Sequence, residues 1–152
     1  MIYRDIMARL ASKGVQFVVD ATGELLMNVL EYHPFLIKPN NYELGEIFGV
    51  TLSTKEDVIL YAKKLQEMGA ANVLVSMAED GSTYKSEAPE GKVKNSVGAG
   101  DSMVAGFLYG YLKSGIYEDA FYYGVCTGSA SAFSENLATR EEIASVYEQI
   151  TK

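Results

Sequence analysis

The sequence is poor in the residues that cross-link a fold or bind zinc. Among its 152 residues it holds one cysteine, Cys126, and one histidine, His33. A single cysteine excludes an intrachain disulfide and fits a reducing, cytosolic setting. Because Cys126 lies in an apolar stretch without a basic neighbour in sequence, a buried structural thiol is favoured over a nucleophile. His33 has no second Cys or His ligand with which to form a zinc site.

Long apolar runs and positive charge are also scarce. No apolar run approaches the ~18 residues that a membrane-spanning helix needs, and the first ten residues are amphipathic and charged, unlike a secretory signal. The net charge of −7 argues against non-specific nucleic-acid binding, which depends on clustered Lys and Arg. We therefore expect a cytoplasmic protein without membrane or nucleic-acid partners. The sequence contains neither G-x-S-x-G nor G-x-x-x-x-G-K-[ST], the motifs of serine hydrolases and P-loop NTPases.

The spacing of apolar residues alternates between helix and strand along the chain. Helices are predicted over residues 2–10, 23–30, 41–48, 54–68, 102–112 and 117–133 and from residue 139, and short apolar strands over 16–20, 35–38 and 72–77. Apolar strands separated by helices predict an α/β fold of one domain, a parallel sheet with helices on both faces. Ligands bind at the carboxyl edge of such sheets. Asp20, Lys38 with Asn40, and Ser76 fall at that edge, and Asp20 is interpreted as a turn cap rather than a supporting acid.

The segment Gly98-Ala99-Gly100-Asp101 precedes a strongly apolar helix. Two glycines around an alanine allow a tight turn whose backbone N–H groups point one way, and the first N–H groups of the helix are also free. Together they form an anion hole that would stabilise a phosphoryl group in flight. Asp101 could then take the proton from an attacking hydroxyl. The alternative is a strand-to-helix turn in which Asp101 caps the helix.

Four motifs occur in the order found in one enzyme family. They are V-G-A-G-D-S-M-V-A-G-F at residues 97–107, K-P-N-N-Y-E-L at 38–44, V-L-V-S-M at 73–77 running into Asp80-Gly81, and G-S-A-S-A-F at 128–133. The set closely resembles the PfkB (ribokinase-like) carbohydrate kinases over nearly the whole chain. The residues of the 97–107 segment are most similar to those of the branch of this family that phosphorylates fructose 1-phosphate.

The resemblance implies a role for each matching residue. Asp101 would be the catalytic base, and the N–H groups of Gly98, Ala99 and Gly100 the anion hole. Asn40 and Glu43 would organise Mg²⁺ largely through water, although Asn followed three residues later by Glu is also a helix-capping box. The implied ATP contacts are Lys38, Ser76, Gly81, Ser96, Val97, Gly98, Gly100 and Ser129. The serines could equally be packing residues, and Lys38 a solvated strand end.

The sequence departs from the family pattern in two places. It begins midway through the family fold and contains no Gly-Gly pair, so the N-terminal strands, the lid and most of the sugar site are expected to be missing. The β-hairpin that follows Gly81 in the family is expected to be shortened near residues 81–84. We expect the 152-residue chain to have negligible kinase activity by itself, because phosphoryl transfer requires both substrates to be positioned. An exposed sheet edge would favour association, for example as a homodimer.

The function implied by the resemblance is ATP-dependent phosphorylation of fructose 1-phosphate to the 1,6-bisphosphate, with Mg²⁺ as cofactor. Two alternatives stay open at this point: a tagatose-6-phosphate kinase, and a catalytically silent module that binds nucleotide. A Rossmann dehydrogenase is disfavoured because Gly98-Ala99-Gly100 comes late in the chain and lacks the third glycine of G-x-G-x-x-G.

Overall fold

A computed structural model describes residues 2–77 and 89–150. The implied contact at Gly81 and the shortened hairpin near residues 81–84 lie outside the described residues. The chain divides into two compact units, Met1–Met77 and Ala78–Lys152, and each is described by itself.

The first unit alternates helices and strands as the sequence predicts. Its elements are α1 (Ile2–Ala11), β1 (Val18–Val19), α2 (Gly23–Leu30), β2 (Leu36–Ile37), α3 (Asn41–Phe48) and α4 (Lys55–Glu67). β1 and β2 pair in parallel, with Val18 opposite Leu36 and Val19 opposite Ile37. The α/β class and the parallel pairing are confirmed.

The third predicted strand is reduced to two isolated parallel bridges. One joins Ile37 to Val73, and the other joins Asn40 to Ser76. Pro39 lies between these two bridges and has no N–H to donate to the neighbouring segment. The hydrogen-bond ladder is therefore interrupted at Pro39, although the chain on either side keeps a parallel course.

Apolar side chains from α2, α3, α4 and β2 form the core of the first unit. Its fully buried members include Leu26, Val29, Ile37, Leu44 and Leu65. Each such side chain stabilises the fold by about 1.5–3 kcal/mol relative to an exposed one. The ends of the helices are also defined by sequence, because Thr54 and Asp57 form a capping box before α4 and Gly49 ends α3 with φ 64°.

The second unit contains three helices, α5 (Ala99–Ser114), α6 (Tyr117–Phe133) and α7 (Arg140–Ile150). Glycines bring α5 and α6 into close contact: a Cβ at Gly106 would lie 2.4 Å from the carbonyl oxygen of Tyr123, and one at Gly110 would lie 2.7 Å from Ala120 Cα. Cys126 is buried between α6 and α7, and burial raises the pKa of its thiol to about 12. This environment agrees with the predicted structural thiol, since an inert thiol stays protonated.

Helix α5 begins three residues before the predicted start at residue 102. Gly98 is its N-cap, with φ 79° and ψ −2°, so Asp101 lies within the first turn. The alternative interpretation of Asp101 as the helix cap is therefore wrong. In the described part of the chain, no helix has the length and apolar composition needed to cross a membrane.

Candidate functional site

Lys38 and Asp20 form an ion pair where β2 and β1 end. The Lys38 Nζ atom lies 3.5 Å from Asp20 Oδ2, and the two side chains are 9% and 39% exposed. The parallel register explains the pairing, because Val19 lies opposite Ile37 and the next residues on each strand are Asp20 and Lys38. Thr22, and not Asp20, is the N-cap of α2, so a turn-capping role of Asp20 stays a prediction. Lys38 is not a solvated strand end, because its side chain is 9% exposed.

Asn40 and Glu43 join in a capping box at the start of α3. Asn40 Oδ1 accepts a hydrogen bond from the Glu43 N–H at 2.8 Å, and Glu43 Oε2 accepts one from the Asn40 N–H at 2.8 Å. Ser76 lies beside this turn because the Asn41 N–H donates to the Ser76 carbonyl oxygen at 3.1 Å. The structure thus confirms that the Asn-x-x-Glu pattern forms a helix-capping box.

The capping box is compatible with a water-rich magnesium site. The carboxylate of Glu43 has a second oxygen, Oε1, beyond the one that accepts from Asn40, and the side chain is only half-buried. Mg²⁺ prefers oxygen ligands, keeps several of its waters and needs one or two carboxylates. In the residues that the structure describes, no cluster of three or more His, Cys, Asp or Glu could hold a metal ion. Asn40 and Glu43 therefore fit a loosely held Mg²⁺ rather than one enclosed by protein ligands.

The turn before α5 is built from short-range hydrogen bonds. The Val97 N–H donates to Asn95 Oδ1 at 3.0 Å, and the Ala99 N–H donates to the Ser96 carbonyl oxygen at 3.2 Å. Gly98 lies between them in a left-handed conformation that favours glycine. Of the three N–H groups predicted to form the anion hole, that of Ala99 is thus engaged within the turn.

Free backbone donors and an exposed carboxylate occur together at the start of α5. Among the described residues, the N–H groups of Gly100 and Asp101 have no acceptor, as expected for the first turn of a helix. The Asp101 side chain is exposed. Such a helix end attracts an anion through its unpaired N–H groups and its dipole.

Residues 94 and 95 dock on the carboxyl-terminal end of α6. The N–H groups of Lys94 and Asn95 donate to the Ala132 carbonyl oxygen at 2.8 and 3.1 Å, and Asn95 Nδ2 donates to the Glu135 carbonyl oxygen at 3.1 Å. Asn95 was not among the predicted site residues, although an Asn side chain that accepts from the N–H two residues later is a common turn signal. Ser129 is half-buried on α6.

The predicted site residues fall into two groups, one in each unit. Lys38, Asn40, Glu43 and Ser76 lie at or just beyond the ends of the strand segments in the first unit. Residues 96–101 form the turn and the first residues of α5 in the second, which also holds Ser129.

Solved structures of sugar kinases match the fold of this chain. A provisionally named phosphofructokinase from Staphylococcus aureus matches with a TM-score of 0.91 and 42% identity over 97% of this chain and 51% of that one. Arabidopsis thaliana ribokinase, solved with ribose and ATP, matches with a TM-score of 0.78, and at 20% identity it shows the fold alone. The fold is therefore ribokinase-like.

The sequence relatives define the family within this fold. The model of the pfkB family carbohydrate kinases matches residues 2–144, and the chain belongs to this family. It is 47% identical to the 1-phosphofructokinase of Bacillus subtilis, over 91% of this chain and 48% of the relative. It is 32% identical to the D-tagatose-1-phosphate kinase of Bacillus licheniformis, over 92% of this chain and 49% of the relative. The chain thus spans about half the length of the curated relatives it matches.

Proposed function

We propose that the chain is the ATP-binding and catalytic part of a kinase that converts fructose 1-phosphate to fructose 1,6-bisphosphate. The observation that carries this proposal is the 47% identity to a 1-phosphofructokinase over 91% of the chain. The substrate and the activity of the whole protein are part of the proposal.

In the proposed reaction, Asp101 is the general base. The C6 hydroxyl oxygen of the sugar attacks the γ-phosphorus of ATP, the bond between that phosphorus and the β–γ bridging oxygen breaks, and ADP leaves. Asp101 takes the hydroxyl proton. The N–H groups of Gly98 and Gly100 hold the charge that spreads over the phosphoryl oxygens. The Ala99 N–H would join them only after releasing the Ser96 carbonyl oxygen, to which it donates.

Lys38 is proposed to contact the phosphates of ATP. Its ammonium is held near Asp20 at 3.5 Å, and a lysine acts on phosphate as a compact charge. Ser76, Gly81, Ser96, Val97 and Ser129 are the further ATP contacts that the family resemblance suggests.

Asn40 and Glu43 are proposed to hold Mg²⁺ through water. When bound, the ion would neutralise part of the phosphate charge. The chain's own contribution is the capping box, which fixes both side chains at one end of α3.

Tagatose 1-phosphate is the second candidate substrate, because a tagatose-1-phosphate kinase is 32% identical to this chain. The name of this relative puts the phosphate on position 1, whereas the alternative inferred from the sequence was a kinase of the 6-phosphate. D-Tagatose and D-fructose differ only in the configuration at C4. A site that hydrogen-bonds the C4 hydroxyl can discriminate between them strongly, since the wrong epimer leaves its polar groups unpaired.

Calorimetry and a coupled ADP-release assay test the proposal. The chain should bind Mg-ATP, and when assayed by itself it should turn over neither sugar phosphate appreciably. A fusion to the N-terminal half of the Bacillus subtilis relative should phosphorylate fructose 1-phosphate, and Asp101→Asn should abolish that turnover. ATP binding combined with an inactive fusion would favour the nucleotide-binding module, and absence of ATP binding would refute the proposal. Association of copies through a sheet edge stays a prediction, which light scattering on the same samples tests.

A further inference from the structure

A buried pair of hydroxyl groups links α5 to α6. The Ser131 hydroxyl donates to Ser102 Oγ at 2.9 Å, and Ser131 Oγ accepts a hydrogen bond from the Ala138 N–H at 3.2 Å. The two serines are 3% and 9% exposed. Ser131 therefore joins three parts of the second unit: the first turns of α5, the end of α6 and the segment that leads into α7.

Both partners of Ser131 are adjacent to the turn at Gly98. Ser102 directly follows Asp101, and its N–H closes the first turn of α5 by donating to the Gly98 carbonyl oxygen at 2.9 Å. Ala138 directly follows Leu137, whose Cδ2 atom would lie 3.0 Å from a Cβ at Gly98. Ser131 thus holds the helix that carries the proposed base and the segment that packs against its N-cap.

We infer that Ser131 is a positioning residue, which sets the geometry of the Gly98–Asp101 turn by tying Ser102 to Ala138. The importance of that geometry for phosphate binding rests on the proposed function. Removing the hydroxyl leaves the Ser102 oxygen and the Ala138 N–H without their partner. Buried polar groups left unpaired are costly, so the surrounding segments would shift to reach other partners.

Ser134 provides a matched control at the same end of α6. Its hydroxyl is also buried, at 7% exposure, and it donates to the Ala130 carbonyl oxygen at 2.9 Å. Replacing it by alanine also removes a buried hydroxyl hydrogen bond, but this bond does not involve α5. Ser134 also hydrogen-bonds Glu142 of α7, so Ser134→Ala reports the loss of a buried hydroxyl whose described hydrogen bonds do not involve α5.

Two measurements on the 152-residue chain test the inference. The first is the ¹⁵N–¹H spectrum, in which Ser131→Ala should shift the amide signals of Gly98, Gly100 and Asp101, whereas Ser134→Ala should leave them in place. The second is calorimetry with Mg-ATP, for which we expect Ser131→Ala to raise the Kd about three- to tenfold, a fraction of the penalty of an unpaired buried group. Ser102→Ala should shift the same amides, and the double variant should shift them no further than Ser131→Ala alone.

The two measurements separate this inference from the proposed function. If the wild-type chain binds no Mg-ATP, the proposed function fails, and the amide signals alone decide whether Ser131 sets the turn. Unmoved amide signals in Ser131→Ala would overturn the inference. Equal shifts in Ser131→Ala and Ser134→Ala would also overturn it, because they would reflect a general loosening of α6.

Discussion

Replacing Gly98 by alanine tests whether the turn before α5 binds the phosphate of ATP. Gly98 has φ 79° and ψ −2°, and a left-handed conformation costs a residue with a Cβ about 1–2 kcal/mol. The new Cβ would also lie 3.0 Å from Leu137 Cδ2, so that side chain must move slightly. Alanine restricts the unfolded chain as well, which offsets about 0.4–1 kcal/mol. We expect the free energy of unfolding to fall by about 1 kcal/mol in total.

The functional effect of Gly98→Ala should be larger than this loss of stability suggests. Relief of the backbone strain would change φ and ψ at residue 98 and turn the peptide groups that follow. Loss of one hydrogen bond to a charged phosphate costs about 1.5–3 kcal/mol, which raises the Kd for Mg-ATP about ten- to a hundredfold. Urea unfolding measures the first effect and calorimetry the second.

Gly115 supplies the control, because it has the same conformation at the other end of α5. Its φ is 71° and its ψ is 3°, and no atom lies within 4 Å of the position its Cβ would take. Gly115→Ala should destabilise the chain by a similar ~1 kcal/mol and leave the Kd for Mg-ATP unchanged. Wild-type affinity in Gly98→Ala would refute the assignment of this turn, and so would an equal loss of affinity in the two variants.

Three further predictions concern single side chains. Asp101→Asn in the active fusion should lower kcat at least ~100-fold while calorimetry shows unchanged Mg-ATP affinity; a loss confined to binding would contradict its role as base. Asp20→Asn removes the charge beside the buried Lys38 ammonium and should lower the free energy of unfolding by about 1–3 kcal/mol, measured in urea; an unchanged midpoint would mean that the pair contributes nothing. The pKa of Glu142 is lowered, chiefly by the hydrogen bond from the Thr139 backbone N–H. Because the folded-state pKa lies below the unfolded value, the Glu142 carboxylate stabilises the fold above the unfolded pKa, and this contribution is lost as pH falls through the folded pKa. Glu142→Gln should therefore flatten the dependence of the free energy of unfolding on pH below about pH 4.5. An unaltered dependence would contradict this.

The helices were largely predictable because their signals are local. The ends of α2, α3 and α6 follow the predicted bounds, and the Thr54 capping box lies at the predicted start of α4. The third strand was not predictable in detail, because its pairing depends on a proline in a different segment. Residues 72–77 are apolar enough for a strand, but Pro39 interrupts the ladder from the other side.

The candidate site was predictable where its residues are close in sequence and not where they are distant. The Gly98 turn was identified from its local residue pattern, and the Asn40–Glu43 pair from its resemblance to a family motif. The ion pair of Asp20 with Lys38 could be predicted only from the register of β1 on β2, and no sequence motif indicates that register. Ser131 lies in the G-S-A-S-A-F motif of residues 128–133. Its hydrogen bond to Ser102 was not predictable, because it joins residues 29 positions apart.

The Asn40–Glu43 pair explains why a functional motif and a folding motif were hard to separate. Both uses require an amide and a carboxylate three residues apart at the start of a helix, so the same letters satisfy either. In the structure each side chain commits one oxygen to the cap, at 2.8 Å. A carboxylate has two oxygens with several lone pairs, so the cap holds Glu43 in place without exhausting it. The capping box and a water-mediated magnesium site are therefore compatible uses of one pair. The hydrogen bonds that start α3 also fix the orientation in which the two side chains would face a hydrated cation.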